Sequence, residues 1–362
     1  MSLDKITLQD FRNHRESALT QTAHFNLLVG ENGAGKTNAL EAISLLSPGR
    51  GLRRAALSDL ASHAATGEDA RGFAIGANLL EQGQVSARLG TYTAPDRPTR
   101  RLVRINGAEA ASTTLSEWHA VSWLTPAMDG LFTDSAGARR RFVDRMTLAM
   151  EPGHAKSVSQ YETALRERNR LLEERGDARW LDAIEAQAAQ HASQIAAARR
   201  ALIARLTDEL SALPPEPFAK PTLTYREGGP TSVADLIATF ARERARDAAA
   251  GRALSGPHRD ELDVVMASSG VAAALCSTGE QKAMLIAITL AHGALAAEGR
   301  PSALLLDEVA AHLDPVRRTE LFNRLRSGRA QVWMTGTELA PFEDIAGEAA
   351  IWRVSGGAVE RL

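Results

Sequence analysis

The sequence predicts an α/β protein with a mixed sheet, an antiparallel β subdomain, and a helical insertion that carries a short antiparallel coiled-coil arm. Three observations lead to this prediction. Short apolar runs near both ends of the chain are typical of buried strands, and they are followed by glycines or acids. Apolar and polar residues alternate over 73–105, which indicates antiparallel strands. Two long helical patterns, over 155–175 and 180–213, occupy the middle of the chain.

The composition is that of an ordinary globular protein, with 362 residues, 44% of them hydrophobic and 24% charged. A net charge of −2 gives no overall attraction to nucleic acid or membrane, so any basic contact needs a local patch. The single cysteine, Cys276, excludes an intramolecular disulfide and fits a reducing compartment. The first residues do not resemble a secretory signal, and no apolar run reaches the roughly 18 residues of a membrane span. We therefore expect a cytoplasmic protein without a membrane partner.

The stretch GENGAGKT, residues 30–37, lies between a strand-like run and a helical pattern. Its glycines let the backbone turn and aim N–H groups inward, and the helix N-terminus favours an anion. Lys36 can reach the β and γ phosphates of a nucleotide, and the Thr37 hydroxyl can bind Mg²⁺. A chance match is the alternative, but the strand–loop–helix context favours a phosphate-binding loop. The predicted nucleotide contacts are Gly30, Glu31, Asn32, Gly33, Ala34, Gly35, Lys36 and Thr37.

A second apolar run, SALLLDE, ends in Asp307 and Glu308. We expect Asp307 to help hold Mg²⁺, and Glu308 to polarise the attacking water in a catalytic site that includes Lys36. The alternative is a buried strand that ends in a surface acidic pair. Most of the chain separates this run from the phosphate-binding loop, so the sequence predicts one nucleotide-binding core interrupted by a long insertion.

The stretch LCSTGEQKAMLIAITLAH, residues 275–292, places Ser277 and Gly279 at the start of an apolar helix, where a phosphate is favoured. The alternative is a plain helix cap, with Glu280 in the first turn. In its position just before the acidic strand, the stretch resembles the signature motif of ABC-type ATPases. That resemblance implies that Ser277 and Gly279 of one subunit meet ATP held by another. The segment AHLD, ending at Asp314, resembles the D-loop of the same class and adds Asp314 to the nucleotide contacts.

Nearly the whole chain resembles the RecF family, the recombination-mediator branch of the SMC-like ATPases. The stretches that carry the resemblance are LQDFRNHR, SPGRGLRRA, DSAGARRRFVD and SGPHRDEL, and the last favours RecF over a general ABC ATPase. The resemblance implies an ABC-type P-loop ATPase head that uses ATP and Mg²⁺ and dimerises around ATP to clamp DNA. It also implies that the protein binds single-stranded, gapped or double-stranded DNA and has RecO and RecR as partners. The implied roles are RecA loading at gaps, fork maintenance, recombinational repair and the SOS response.

On this basis the chain is expected to have three parts: 1–112 with the phosphate-binding loop and the antiparallel sheet, 113–251 with the arm, and 252–362 with the signature, the acidic strand (Walker B) and the D-loop. Two departures from the family pattern concern hydrolysis. The stretch WLTPAMDGLF has no glutamine, and Thr335 and Thr337 stand where a switch histidine often follows. We therefore expect any ATPase activity to be slow and DNA-stimulated.

Local basic patches are the candidates for DNA contact, and each could equally be a solvated face. The predicted DNA-binding residues are Arg50, Arg53, Arg54, Arg139, Arg140 and Arg141, with a further patch of Arg97, Arg100, Arg101 and Arg104. Contacts to backbone phosphates would tolerate many sequences and depend on salt. Two other functions remain open. One is the ATPase subunit of a transporter, but the SGPHRDEL stretch and the arm argue against it. The other is a monomeric P-loop kinase, which would leave the signature motif unexplained.

Overall fold

The structure is a computed structural model and describes residues 2–62, 72–214, 216–310 and 313–362. The strands are β1 (Ser2–Phe11), β2 (His14–Leu19), β3 (Phe25–Val29), β4 (Ala74–Glu81), β5 (Gln84–Ala94), β6 (Arg97–Ile105), β7 (Ala108–Ala110), β8 (Ala120–Leu124), β9 (Pro221–Arg226), β10 (Glu261–Met266), β11 (Ser302–Leu306), β12 (Gln331–Gly336), β13 (Ala349–Ser355) and β14 (Ala358–Arg361). The helices are α1 (Lys36–Ser44), α2 (Leu115–Trp118), α3 (Ala136–Met150), α4 (His154–Glu173), α5 (Ala178–Ala212), α6 (Val233–Ala250), α7 (Thr278–Ala296), α8 (Pro315–Ser327) and α9 (Glu343–Ala346).

Tertiary contacts divide the chain into two compact units, Met1–Met128 with Thr289–Leu362, and Asp129–Ile288. The three parts expected from the sequence, 1–112, 113–251 and 252–362, follow chain order rather than contacts, and that division stays a prediction. Within the part of the chain that the structure describes, no helix is both long and apolar enough to cross a membrane.

The first unit contains a six-stranded mixed sheet in the order β14-β13-β3-β12-β11-β8. Five of its strands are parallel, and β14 pairs antiparallel with β13. Strands β3, β8 and β11 are buried at every residue, which is why their sequences are mainly apolar. The mixed sheet predicted from the sequence is therefore confirmed. The carboxyl ends of its parallel strands meet at one edge, the usual place for a ligand in such sheets.

The first unit also contains a six-stranded antiparallel sheet in the order β2-β1-β4-β5-β6-β7. Alternate residues of β4, among them Ile75, Ala77 and Leu79, are buried, so the alternation seen over 73–105 marks one face of this sheet. The turn into β7 has positive φ at Asn106 and Gly107, which suits a tight hairpin. The antiparallel subdomain predicted from the sequence is confirmed.

The second unit is mainly helical, with a two-stranded antiparallel sheet of β9 and β10. Helices α4 and α5 are joined by a short loop and lie within two residues of the predicted spans 155–175 and 180–213. Together with α6 they enclose an apolar core that includes Tyr161, Ala188 and Phe240. The predicted arm is therefore confirmed as a pair of packed helices.

Buried charge crosses this helical core. The Arg168 side chain is 0% exposed and lies 2.9 Å from Glu185 and 2.7 Å from Asp247, both 1% exposed. The charge-rich stretch ARERARDAAAGR, residues 241–252, has a composition that predicts a solvated helix. That prediction is wrong for Asp247 of α6, because a buried arginine needs carboxylate partners within the core.

The SGPHRDEL segment, residues 255–262, lies in a second polar network of this unit. Arg199 donates to Asp144 at 2.8 and 2.9 Å and to Asp260 at 2.8 Å. The Tyr161 hydroxyl and His258 Nδ1 are 2.8 Å apart. Side chains of α4 and α5 thus hold the SGPHRDEL segment in place through hydrogen bonds.

Candidate nucleotide-binding site

The loop that joins β3 to α1, residues 30–35, has a backbone that depends on glycine. Gly35 has φ 117, a conformation that residues with side chains rarely adopt. A Cβ on Gly30 would lie 2.1 Å from the Val354 carbonyl oxygen. No side chain caps the N-terminus of α1, so the first N–H groups of that helix remain available to an anion. The predicted strand–loop–helix context is confirmed.

Lys36 is buried and reaches back across this loop. Its ammonium donates to the carbonyl oxygens of Gly30 at 2.6 Å and Glu31 at 2.9 Å. Burial lowers the pKa of Lys36, and the negative charges of Glu308 and Asp307 oppose that effect. The Lys36 ammonium therefore lies beside the loop carbonyls and within the electrostatic field of Asp307 and Glu308, which are far from the loop in the sequence.

Asp307, at the end of β11, is where the two halves of the predicted site meet. The Thr37 hydroxyl donates to Asp307 Oδ1 at 2.9 Å, and the Thr335 hydroxyl donates to the same oxygen at 2.7 Å. The sequence singled out Thr335 only as a departure from the family pattern. Its position at the end of β12 gives it a contact with the acidic pair that no local pattern revealed.

Thr37 and Asp307 suit a magnesium ion bound together with phosphate. Hydroxyl and carboxylate oxygens are the hard ligands that Mg²⁺ prefers, and Mg²⁺ usually takes only one or two protein carboxylates beside phosphate oxygens and water. Among the described residues, no cluster of three or more His, Cys, Asp or Glu side chains could hold a metal by itself. A metal at this position would therefore depend on the nucleotide for its other ligands.

Glu308 follows Asp307 with an unusual backbone. Its φ is 54, in the left-handed region that a glutamate seldom adopts. Its backbone N–H donates to the Thr335 hydroxyl at 2.9 Å, which holds the residue in that conformation. Such backbone strain is found more often at functional sites than elsewhere.

Ser277 and Asp314 both act as helix caps. Ser277 forms a capping box with Glu280, with its N–H 2.8 Å from the glutamate and the N–H of Glu280 3.4 Å from the serine hydroxyl. Asp314 accepts the Arg317 N–H at the start of α8. Ala311 and His312 of the AHLD segment lie outside the described residues. The contacts of Ser277, Gly279 and Asp314 with a nucleotide stay predictions.

Comparison with known proteins identifies the family. A family model described as RecF/RecN/SMC N terminal domain matches residues 2–349. Proteins named DNA replication and repair protein RecF match 99% of this chain: that of Brucella suis biovar 1 (strain 1330) is 47% identical, with 95% of its length covered, and that of Mesorhizobium japonicum is 45% identical, with 97% covered. This chain belongs to the RecF family.

Solved structures agree with this RecF-family assignment at the level of the fold. The structure of the recombination mediator protein RecF-ATP in the RecFOR pathway has a TM-score of 0.85 at 21% identity, covering 100% of this chain and 97% of that one. The SmcHead bound to the C-winged helix domain of ScpA has a TM-score of 0.58 at 15% identity, covering 100% of this chain and 98% of that one. The ATPase-head fold predicted from the sequence is therefore confirmed.

The arginines predicted to bind DNA differ in their surroundings in this RecF-family chain. Arg139 pairs with Glu261 at 2.7 and 3.0 Å, which raises the pKa of Arg139, and Arg140 donates to the Asp260 carbonyl at 2.9 Å. Arg141 and Arg50 are exposed. Arg53 is also exposed but donates to Asn38 at 2.6 Å. Their contacts with DNA stay predictions.

Arg101 does not belong to a surface patch, contrary to the sequence expectation. It is half-buried, and its desolvation lowers its pKa to about 10. Its guanidinium donates to the carbonyls of Leu45, Ser47 and Gly49, just beyond the C-terminal end of α1. A cation suits the negative end of a helix dipole, so Arg101 ties β6 to the helix that follows the phosphate-binding loop.

Two residues that the sequence analysis did not single out touch the phosphate-binding loop. Asn13 Nδ2 donates to the Ala34 carbonyl at 2.9 Å, and His14 Nε2 lies 3.0 Å from the Gly35 carbonyl. Both follow β1 in the stretch LQDFRNHR. The available signal was a run of polar residues at a tight turn, which ordinarily indicates solvated side chains.

Proposed function

We propose that this chain binds ATP with Mg²⁺ at the loop of residues 30–37, dimerises around the nucleotide, and in that state clamps DNA. The observation that carries the proposal is the contact of Asp307 with Thr37, beside Lys36. It supplies oxygen ligands for a cation and an ammonium for phosphate at one edge of the mixed sheet. The relatives named as DNA replication and repair proteins support the DNA role.

The residues divide the chemistry in the following way. The loop N–H groups surround the β phosphate, and Lys36 exchanges its two loop carbonyls for β and γ phosphate oxygens. Thr37 and Asp307 would hold Mg²⁺, which would supply positive charge beside the phosphates. Glu308 polarises the attacking water. Because Thr335 cannot take up a proton as a histidine can, hydrolysis depends on Glu308 alone among these residues and is slow.

In the cell, the nucleotide lies between two heads, with the loop of one facing Ser277 and Gly279 of the other, and Asp314 nearby. The closed dimer holds single-stranded, gapped or double-stranded DNA in the cytoplasm and works with RecO and RecR to load RecA at gaps, during repair, fork maintenance and the SOS response. The names of the RecF relatives and of the RecFOR-pathway structure support this role, since the chain shares the family of the former and the fold of the latter.

Mixing two inactive variants tests the shared site. Lys36→Met leaves a sound Ser277 but cannot hold its own ATP, and Ser277→Arg leaves a sound loop but spoils the partner's site. Each variant alone should lack activity, whereas a mixed dimer contains one intact site and should recover up to one active site per dimer. The matched control mixes Lys36→Met with the double variant Lys36→Met/Ser277→Arg, which leaves no intact site.

Recovered hydrolysis and recovered ATP-dependent dimers, measured by light scattering, would support the proposal. Recovery of neither would overturn the shared site. A protein that stays monomeric with ATP and passes phosphate to a small molecule would indicate the kinase alternative. ATP-dependent capture of a membrane component without any DNA affinity would indicate the transporter alternative.

A further inference from the structure

The turn between β1 and β2 lies directly behind the phosphate-binding loop. Two consecutive loop carbonyls accept hydrogen bonds from this side. The Ala34 carbonyl accepts Asn13 Nδ2 and the Gly357 N–H, each at 2.9 Å. The Gly35 carbonyl lies 3.0 Å from His14 Nε2 and also accepts the Ala39 N–H at 3.0 Å.

These contacts fix the direction of the N–H groups on the other side of the loop. In a planar trans peptide the C=O and the following N–H point in opposite directions. With the carbonyls of Ala34 and Gly35 held from behind, the N–H groups of Gly35 and Lys36 must face away from the β1–β2 turn. N–H groups at this part of such a loop are the ones that surround a phosphate.

The imidazole of His14 is fully buried, and its contact with the Gly35 carbonyl identifies the ring nitrogen that donates to the loop. A carbonyl oxygen only accepts, so Nε2 must carry the proton that reaches Gly35. Burial lowers the pKa of His14, against the opposing effect of the Gly35 and Gly357 backbone. Nδ1 lies 3.0 Å from the hydroxyl oxygen of Ser17, and that hydroxyl donates to the Gly357 carbonyl at 2.9 Å.

The fit between His14 and the loop is close. A Cβ on Gly35 would lie 2.9 Å from His14 Nε2 and 2.7 Å from Asn13 Oδ1. Any side chain at position 35 would therefore clash with Asn13 and His14, so their close approach to the loop requires glycine there.

We propose that His14 is a positioning residue for nucleotide binding: its Nε2–H holds the Gly35 peptide in the orientation that turns the Lys36 N–H toward the β phosphate. The proposal rests on the proposed binding of ATP at residues 30–37. His14 itself contacts the loop carbonyl rather than the ligand, so it acts through the backbone.

Variants that differ in the hydrogen-bond donor test this role. His14→Gln places an amide nitrogen near the position of Nε2, whereas His14→Phe fills similar space without a donor. We expect His14→Phe to weaken both ATP and ADP binding about tenfold, since both carry the β phosphate, and His14→Gln to stay within about threefold of the parent. Ser17→Ala removes the partner of Nδ1 but leaves the Nε2 bond, and should also stay within about threefold.

The measurements are calorimetric affinities for ATP and ADP, and the urea midpoint of each nucleotide-free variant. Failure of the parent chain to bind ATP would overturn the proposed function itself. A parent that binds, with a folded His14→Phe variant that binds equally well, would overturn the positioning role alone, as would equal weakening by Phe and Gln. If the His14→Phe variant does not fold, the His14→Leu variant is measured in its place. If neither donor-free variant folds while Gln does, His14 is required for folding and the positioning role is wrong.

Discussion

Thr335 donates a 2.7 Å hydrogen bond to Asp307, and the same hydroxyl accepts the backbone N–H of Glu308 at 2.9 Å. One side chain on β12 thus holds both members of the acidic pair on β11. The hydroxyl is buried, so neither bond can be replaced by bulk water. Thr335 therefore couples the proposed metal ligand to the proposed catalytic carboxylate.

Thr335→Val removes this hydroxyl while it keeps the shape of the side chain. The Glu308 N–H then lacks its acceptor, which costs about 1–3 kcal/mol of stability, and the glutamate loses its fixed backbone conformation. We expect a fall in ATP hydrolysis of about tenfold or more, while ATP affinity changes much less. Thr335→Ser should restore activity, and Thr337→Val, at the exposed neighbouring threonine, is the matched control. Equal activity in the Val and Ser variants would contradict this role.

Glu308→Gln should keep the nucleotide but lose the group that polarises water. The expected result is a longer-lived ATP-bound dimer that retains DNA through a salt wash. Sizing by light scattering with ATP, beside a filter assay for retained DNA, gives the measurement. Asp307 is proposed to hold Mg²⁺ rather than to polarise the attacking water. Asp307→Asn should therefore weaken the Mg²⁺-dependent binding of ATP instead. A Glu308→Gln protein that remains monomeric at all concentrations with ATP would argue against the clamp.

The exposed arginines can be separated from the paired ones in a DNA-binding experiment. Arg141→Glu or Arg50→Glu should weaken binding to many sequences about equally, and each should reduce the slope of log affinity against log salt by about one. Arg139→Glu would instead place a carboxylate against Glu261, so we expect a lower urea midpoint from that variant. An unchanged salt slope in both exposed variants would assign these arginines to a solvated face.

Arg168→Met tests the buried charge in the helical unit. It leaves Glu185 and Asp247 buried with less compensation, and breaking a buried ion pair typically costs about 3–5 kcal/mol. Urea denaturation should show that loss. Arg170→Met is the matched control on the same helix, since its pairs with Glu167 and Glu174 are exposed and contribute little. Equal midpoints for the two variants would contradict the importance of this cluster.

The sequence was sufficient for features whose cause is local. A strand, a glycine loop and a helix N-terminus occupy consecutive residues, so their joint geometry follows from the order of residue types. Strands β3 and β11 are buried along their whole length, so their residues are mainly apolar, and the acids directly after β11 are conspicuous in the sequence. The long helices α4 and α5 carry many turns of the same pattern, which makes their bounds predictable.

The sequence by itself thus determined the phosphate-binding loop, the acidic pair, the arm and the two kinds of sheet. Only the tertiary structure decided which polar side chains act on them. An arginine has the same appearance in sequence whether it is exposed like Arg141, paired like Arg139 or fully buried like Arg168. His14 and Thr335 reach the loop and the acidic pair through hydrogen bonds across strands, and such contacts depend on which strands the fold brings together rather than on neighbouring residues.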